Sequence, residues 1–170
     1  MGLVAPEKTV KVRVDLRDPV HFLAFGFGSG LAPRAPGTFG TLAAVPLYLL
    51  LAQLPLAAYA AVLAAVIAAG IYVCGESARR LGVHDHSGIV WDEFAGFFLT
   101  MLLVPATWAT VLAGFVLFRF FDVVKPWPIR WLDRHVHGGV GIMADDLLAG
   151  AWACACLHGL LWWWPAFANP

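Results

Sequence analysis

The chain has 170 residues, of which 61% are hydrophobic and only 13% are charged, and its mean hydropathy is +0.77. Soluble globular proteins have roughly 45–50% apolar and about 25% charged residues, so this composition indicates a one-domain integral membrane protein. Eleven acids balance eleven bases, which excludes the basic footprint of a nucleic-acid-binding protein. Because most charges lie outside the apolar runs, we expect polar loops between hydrophobic helices.

The N-terminal part of the chain changes from a charged to an apolar segment. Residues 1–20 are predicted to be a cytoplasmic lead-in, and residues 21–170 a single membrane-embedded domain. Residues 21–31 are apolar, but the overlapping stretch GFGSGLAPRAPGTFGT contains five glycines and two prolines. These residues interrupt regular helices, so we predict an irregular or re-entrant segment here.

Five apolar runs approach the ~20 residues that a membrane span requires. They are residues 39–54, 56–74, 89–104, 107–121 and 142–164. Pro55 and Pro105 separate neighbouring runs, and three consecutive tryptophans at the end of the last run suit a membrane interface. The fold class is therefore predicted as an all-α integral membrane protein with about five hydrophobic helices, some of them short or re-entrant.

The basic residues predict the orientation of these helices. With the turns at Pro55 and Pro105 outside, the bases between the runs all fall on the cytoplasmic side, as the positive-inside rule prefers. They are Arg34, Arg79, Arg80, Arg119, Lys125, Arg130 and Arg134. An alternative topology fuses residues 94–118 into one long span and separates the two acidic clusters across the bilayer.

Five acidic residues stand at the ends of the predicted spans. Asp92 and Glu93 open the third run, Asp122 follows the fourth, and Asp145 and Asp146 open the fifth. Carboxylates at one membrane level repel each other unless a cation neutralises them, and oxygen ligands favour a hard ion. We predict that these five acids bind Mg²⁺ and take part in catalysis; the alternative is that they form salt bridges with the neighbouring bases.

The glycine- and proline-rich loop before the first span offers groups that can bind an anion. Arg34 supplies a guanidinium, Thr38 a hydroxyl, and the loop presents backbone N–H groups just before a helix. Together with a metal site, such a loop indicates phosphoryl chemistry. We predict that Arg34, Thr38 and Lys125 bind a phosphomonoester, although glycine and proline alone also mark simple tight turns.

The histidines and the missing motifs narrow the chemistry further. His84 and His86 precede the third run, and either can protonate a leaving alkoxide, a role for which we select His86; loop hydrogen bonding is the alternative for both. Known signatures of cysteine, haloacid-dehalogenase-type and histidine phosphatases are absent from the chain. A metal-activated water, or an aspartyl nucleophile, remains. The competing function is a small divalent-cation channel or transporter, but a pore needs polar residues through its full depth.

Four motifs, GFGSGLAPRAPGTFGTLAA, VHDHSGIVWDEFAG, FRFFDVVKPWPIRWLDR and HGGVGIMADDLLAG, occur in order along the chain. In these motifs the chain resembles the phosphatidylglycerophosphatase A family. The resemblance implies a small Mg²⁺-dependent phosphatase of the bacterial inner membrane, with its active site facing the cytoplasm. It also implies the substrate, phosphatidylglycerophosphate, whose terminal phosphate is removed to give phosphatidylglycerol in phospholipid biosynthesis. The oligomeric state stays open.

Overall fold

The computed structural model describes residues 14–83 and 86–168. Within these ranges the regular structure is entirely helical, with no β-strand. The α-helices are α1 (Pro19–Ala24), α2 (Pro36–Leu51), α3 (Leu56–Leu81), α4 (Trp91–Thr100), α5 (Trp108–Val124), α6 (Ile129–His135) and α7 (Gly138–Trp163), and the 3₁₀ helices are Gly26–Leu31 and Pro165–Ala168. The predicted all-α class is confirmed for the described residues, whereas His84 lies outside them.

Helix α3 continues past the predicted span end at residue 74 and reaches Leu81. Its last turns are polar, and their side chains pair along the helix surface: Arg79 Nη2 and Arg80 Nε each donate to Glu76 at 2.7 Å. Such pairs three and four residues apart support a helix. The helix then ends at Gly82, whose positive φ of 69° suits a glycine C-cap.

The third predicted span, residues 89–104, is wrong in its length. Helix α4 has 10 residues, or about 15 Å, which is half of a ~30 Å hydrocarbon core. Beyond its end Met101 and Val104 are buried in a turn, where Leu103 has a φ of 61°. The continuous apolar sequence of residues 89–104 is therefore explained by the burial of this turn and not by a long helix.

Residues 101–107 reverse the chain between α4 and α5. Thr107 caps α5 by accepting a hydrogen bond from Thr110 N at 3.3 Å, and Thr110 Oγ1 accepts one from Thr107 N at 3.0 Å. Helix α5 then runs back far enough for Arg119 to form an ion pair with Glu93 at the start of α4. This reversal excludes the single long helix over residues 94–118 on which the alternative topology depends.

Helix α7 lies at the centre of the fold, packed against α3, α4 and α5. Glycines permit this close packing, because a Cβ at Gly150 would overlap the carbonyl oxygen of Gly96, and one at Gly139 would overlap that of Ile71. Small residues at crossings let helix backbones approach closely. The acids near the start of α7 are thereby held beside the helices that carry the other acids.

The surface of the fold is apolar over most of its length and charged at one end. No Asp, Glu, Lys or Arg occurs in residues 35–75, 94–118 or 147–170. Helices α3 and α7, of 26 residues each, have the length and composition to cross a membrane, and only 22% of the apolar stretch of α3 is buried. Exposed apolar surface of this extent is typical of a membrane-interacting protein.

Candidate active site

One cavity of about 290 Å³ at the charged end of the fold is lined by all five predicted acids and by Lys125; we call it the acid cavity. Arg119, Asp133, Ser87 and the backbone of residues 35–37 complete much of its wall. The two acidic pairs lie 52 residues apart in the sequence, yet they face the same space. Their meeting follows from the parallel packing of α4 and α7: Thr100 Oγ1 lies 3.4 Å from Gly150 O, and Cys154 Sγ lies 3.8 Å from Leu102 O, so the N-terminal parts of both helices lie at the same end of the fold.

Each acid occupies a helix position that directs it towards this cavity. Asp92 and Glu93 lie in the first turn of α4, where the helix dipole favours negative charge. Asp122 lies in the last turn of α5. Asp145 and Asp146 lie in the first half of α7 and are buried, at 6% and 4% exposed. The reversal between α4 and α5 brings these positions to one level.

Arg119 joins two of the acids from different helices. Its Nη1 donates a hydrogen bond to Glu93 Oε1 and forms an ion pair with Asp122 Oδ2 at 2.7 Å. The second oxygen of Glu93 accepts a hydrogen bond from Thr41 Oγ1 at 2.8 Å. Arg119 Nε is buried and has no hydrogen-bond partner among the described residues. The guanidinium therefore fixes the orientation of Glu93 and Asp122 at the cavity wall.

Lys125 forms the second cationic point of the cavity. It follows α5 in the left-handed conformation, with a φ of 44°, which turns its side chain away from the helix axis. Its Nζ lies 2.5 Å from Asp145 Oδ2 and 2.7 Å from Asp133 Oδ1. Partial burial alone would lower the pKa of Lys125, but the hydrogen bonds to these two carboxylates outweigh it and raise the pKa. The ammonium group is therefore charged throughout the physiological pH range.

Asp146 has a carboxylate oxygen that these ion pairs do not reach. Its Oδ2 is buried and has no hydrogen-bond partner among the described residues. Leaving a buried carboxylate unpaired costs several kcal/mol. The salt-bridge alternative therefore accounts for Glu93, Asp122 and Asp145, but not for Asp146.

The balance of charge in the acid cavity favours a bound cation. Six carboxylates line the cavity, counting Asp133, against the two cationic side chains of Arg119 and Lys125. No ready-made cluster of three or more metal-ligand side chains occurs in residues 14–83 and 86–168, because ion pairs hold several of the acids. The oxygen donors and the unpaired Asp146 Oδ2 nevertheless fit a hard divalent ion.

Three predicted site residues do not line the acid cavity. Arg34 is exposed, and Thr38 is half-buried in the first turn of α2; both flank the three residues, 35–37, that do line it. His86 lines a neighbouring cavity. Its Nδ1 accepts a hydrogen bond from Gly88 N at 3.0 Å, and its ring packs against Phe25. The roles predicted for these three residues therefore stay predictions.

Sequence reasoning missed four residues that shape the cavity. Arg119 is predicted only as a salt-bridge partner, and Thr41 is the last residue of the glycine- and proline-rich loop but is not among the predicted site residues. Asp133 was not assigned to the site, although it shares Lys125 with Asp145. At Gly37 a Cβ would overlap Glu93 Oε1 and lie 2.9 Å from Arg119 Nη1. The need for glycine at position 37 depends on contacts between helices, which no local sequence pattern reveals.

Comparison with known proteins identifies the relatives of the chain. A family model described as phosphatidylglycerophosphatase A matches residues 22–161. The phosphatidylglycerophosphatase A of Escherichia coli K12 is 49% identical over 156 residues, which cover 91% of each protein. That of Haemophilus influenzae is 43% identical over 153 residues, covering 89% of this chain and 94% of the relative. No solved structure matches the chain.

A third relative carries a different name. A putative phosphatidylinositol-3-phosphatase of Bacteroides thetaiotaomicron is 39% identical over 145 residues, covering 81% of this chain and 90% of the relative. All three relatives are thus named as phosphatases, and this helical protein with its carboxylate-lined cavity is a phosphatase. The chain belongs to the phosphatidylglycerophosphatase A family. The resemblance found in the four motifs is confirmed, as is the prediction that the protein is an enzyme.

Proposed function

We propose that this enzyme hydrolyses the terminal phosphomonoester of phosphatidylglycerophosphate to give phosphatidylglycerol and inorganic phosphate, as a step of phospholipid biosynthesis. The observation that carries the proposal is the acid cavity, in which the five motif acids and Lys125 face one space. Family membership and two relatives named for this reaction support it. The alternative of a divalent-cation channel gains no support, because the apolar helices offer no charged side chains below the cavity.

The protein acts from within the bacterial inner membrane, with several helices in the bilayer and the acid cavity at the cytoplasmic surface. The apolar length of α3 and α7 and the charge-free segments of the chain support this placement. A charge in the hydrocarbon region is costly, so the charged end of the fold lies at the headgroup level. The phosphate of a membrane lipid can reach the cavity there.

The five acids bind Mg²⁺ in this proposal, and the unpaired Asp146 is the residue that most needs it. When bound, such an ion neutralises charge on the phosphoryl oxygens and activates water for attack. Ion pairs with Arg119 and Lys125 hold Glu93, Asp122 and Asp145 at the cavity wall, and binding of the ion requires these carboxylates to exchange part of those contacts.

Side chains of the protein then bind the phosphate group and orient the carboxylates around it. Lys125 binds a phosphate oxygen as a point charge, while Arg119 keeps Glu93 and Asp122 in place. A water oxygen forms the new bond to phosphorus, the ester bond breaks, and the leaving glycerol oxygen takes a proton. Arg34 and Thr38 beside the cavity, and His86 next to Ser87 in its wall, remain candidates for phosphate binding and for this proton transfer.

Phosphate release by the purified protein in detergent tests the proposed function. We expect release from phosphatidylglycerophosphate with Mg²⁺, loss of release with excess EDTA, and recovery when Mg²⁺ is restored. Phosphatidylinositol 3-phosphate, suggested by the third relative's name, should react at least about tenfold more slowly, because its bulky ring must enter the same 290 Å³ cavity. Faster release from the inositol lipid would contradict the proposed substrate. Release unaffected by EDTA would contradict the proposed dependence on Mg²⁺.

A further inference from the structure

A second concave surface lies beside the acid cavity and is almost entirely apolar. This groove, of about 410 Å³, is formed by α2, α3 and α4; its lining residues are Leu47, Leu50, Leu51, Leu54, Val62, Val66, Trp91, Phe94 and Phe98. Its floor is formed by the buried side chains of Leu51, Phe94 and Phe98, and its rim by exposed ones such as Leu50. A volume of this size lies within the ~300–1,000 Å³ typical of ligand pockets.

The groove and the acid cavity share the first turn of α4. Trp91 and Phe94 line the groove, whereas Asp92 and Glu93, between them in the sequence, line the cavity. Successive helical residues point about 100° apart, so α4 forms a wall with one polar and one apolar side. A molecule that occupies both surfaces has a charged group and an apolar chain.

The end of the groove nearest the acids is held in a fixed shape. Trp91 Nε1 donates a hydrogen bond to the backbone oxygen of Val66 at 3.0 Å, and its ring stacks on Phe94 with centroids 5.8 Å apart. From Trp91 the groove follows α4 to Phe98, a distance of about 10 Å at 1.5 Å per residue. It therefore leads from the headgroup level into the apolar part of the fold.

We propose that this groove binds an acyl chain of the phospholipid substrate while the phosphate occupies the acid cavity. The inference rests on the proposed function, because the substrate proposed there carries both a phosphate and acyl chains. Moving an acyl chain from the bilayer into the groove brings little net hydrophobic gain, because lipid tails are as apolar as leucine. The groove therefore positions the substrate: it fixes the first part of one chain, and thereby the phosphate relative to the acids.

Filling the groove tests this role. We would replace Leu50 or Val66 by tryptophan and compare them with Leu112→Trp, an apolar position on α5 outside the groove that is about as exposed as Leu50. Each protein is assayed with dioleoyl phosphatidylglycerophosphate in mixed micelles and with its deacylated, water-soluble headgroup. We expect the rate with the lipid, divided by the rate with the deacylated headgroup, to fall about ten- to a hundredfold in the filled variants. In Leu112→Trp this ratio should stay at the wild-type value.

A labelling experiment on the unaltered protein covers the case in which a filled variant does not fold. A substrate with a photoreactive group in its acyl chain should label peptides from α2, α3 and α4. Unlabelled phosphatidylglycerophosphate should displace this label, and phosphatidylcholine should not. Equal displacement by both lipids would identify the occupant as bulk lipid and overturn the proposal.

The outcomes separate the groove from the function on which it rests. An unchanged rate ratio in the filled variants, with normal wild-type turnover, would refute the groove alone. Wild-type protein that releases phosphate from neither the lipid nor its headgroup would refute the proposed function, and the groove with it. A lower rate ratio together with selective displacement of the label would establish the groove as an acyl-chain site.

Discussion

Replacing Asp146 by asparagine is expected to reduce phosphate release about a thousandfold or more while the folded protein still accumulates in the membrane. The change removes the one buried carboxylate oxygen that has no partner in residues 14–83 and 86–168. A metal ion is worth several kcal/mol of transition-state stabilisation, and each 1.36 kcal/mol is a factor of about ten in rate. The measurement is inorganic phosphate released from phosphatidylglycerophosphate under saturating Mg²⁺.

The stability of the same variant distinguishes a metal site from a structural ion pair. Without Mg²⁺, asparagine replaces a buried carboxyl group whose Oδ2 has no hydrogen-bond partner among the described residues, so the unfolding temperature in EDTA should not fall. Asp15→Asn, an exposed change outside the cavity, is the matched control and should retain normal turnover. Wild-type-like turnover in Asp146→Asn would remove this residue from the site, and a large loss of stability would indicate a structural role.

Gly37→Ala is expected to reduce turnover about a hundredfold through a single added methyl group. The Cβ would overlap Glu93 Oε1 and lie 2.9 Å from Arg119 Nη1, so the ion pair at the cavity wall has to shift. Displacement of a site by about 1 Å can cost a hundredfold in rate, whereas overpacking costs about 1–3 kcal/mol in stability. Turnover and thermal unfolding measured on the same sample separate these two effects.

Gly159→Ala is the matched control for this change. Gly159 also lies within a helix, but a Cβ there has no atom within 4 Å. Alanine favours a helix by about 1 kcal/mol over glycine, so this variant should be as stable as the wild type or more so, with unchanged turnover. Equal turnover in Gly37→Ala and Gly159→Ala would show that the space beside Glu93 is not needed for activity.

The helices and the acids could be predicted because each leaves a local mark in the sequence. Long apolar runs predict α2, α3 and α7 to within a few residues at most of their ends. Asp92 and Asp146 stood out because a charge beside an apolar run is costly. Their assignment as metal ligands stays a prediction, although the structure brings both to one cavity.

The remaining features depend on contacts that no local pattern records. The short length of α4 could not be predicted, because a buried turn and a buried helix have the same apolar composition. Thr41 ends the glycine- and proline-rich loop, and only the packing of α2 against α4 shows that its hydroxyl donates a hydrogen bond to Glu93. His86 carries a suitable side chain for acid catalysis, but its Nδ1 is engaged by the backbone of its own loop.

Binding of a divalent ion to the purified protein tests the central claim most directly. Mn²⁺, which accepts the same oxygen ligands as Mg²⁺, can be titrated in detergent and its free fraction followed by electron paramagnetic resonance. The account predicts that the wild type binds Mn²⁺, that Mg²⁺ displaces it, and that Asp146→Asn binds it at least about tenfold more weakly. Absence of binding by the active wild type, or equal binding by Asp146→Asn, would contradict the account.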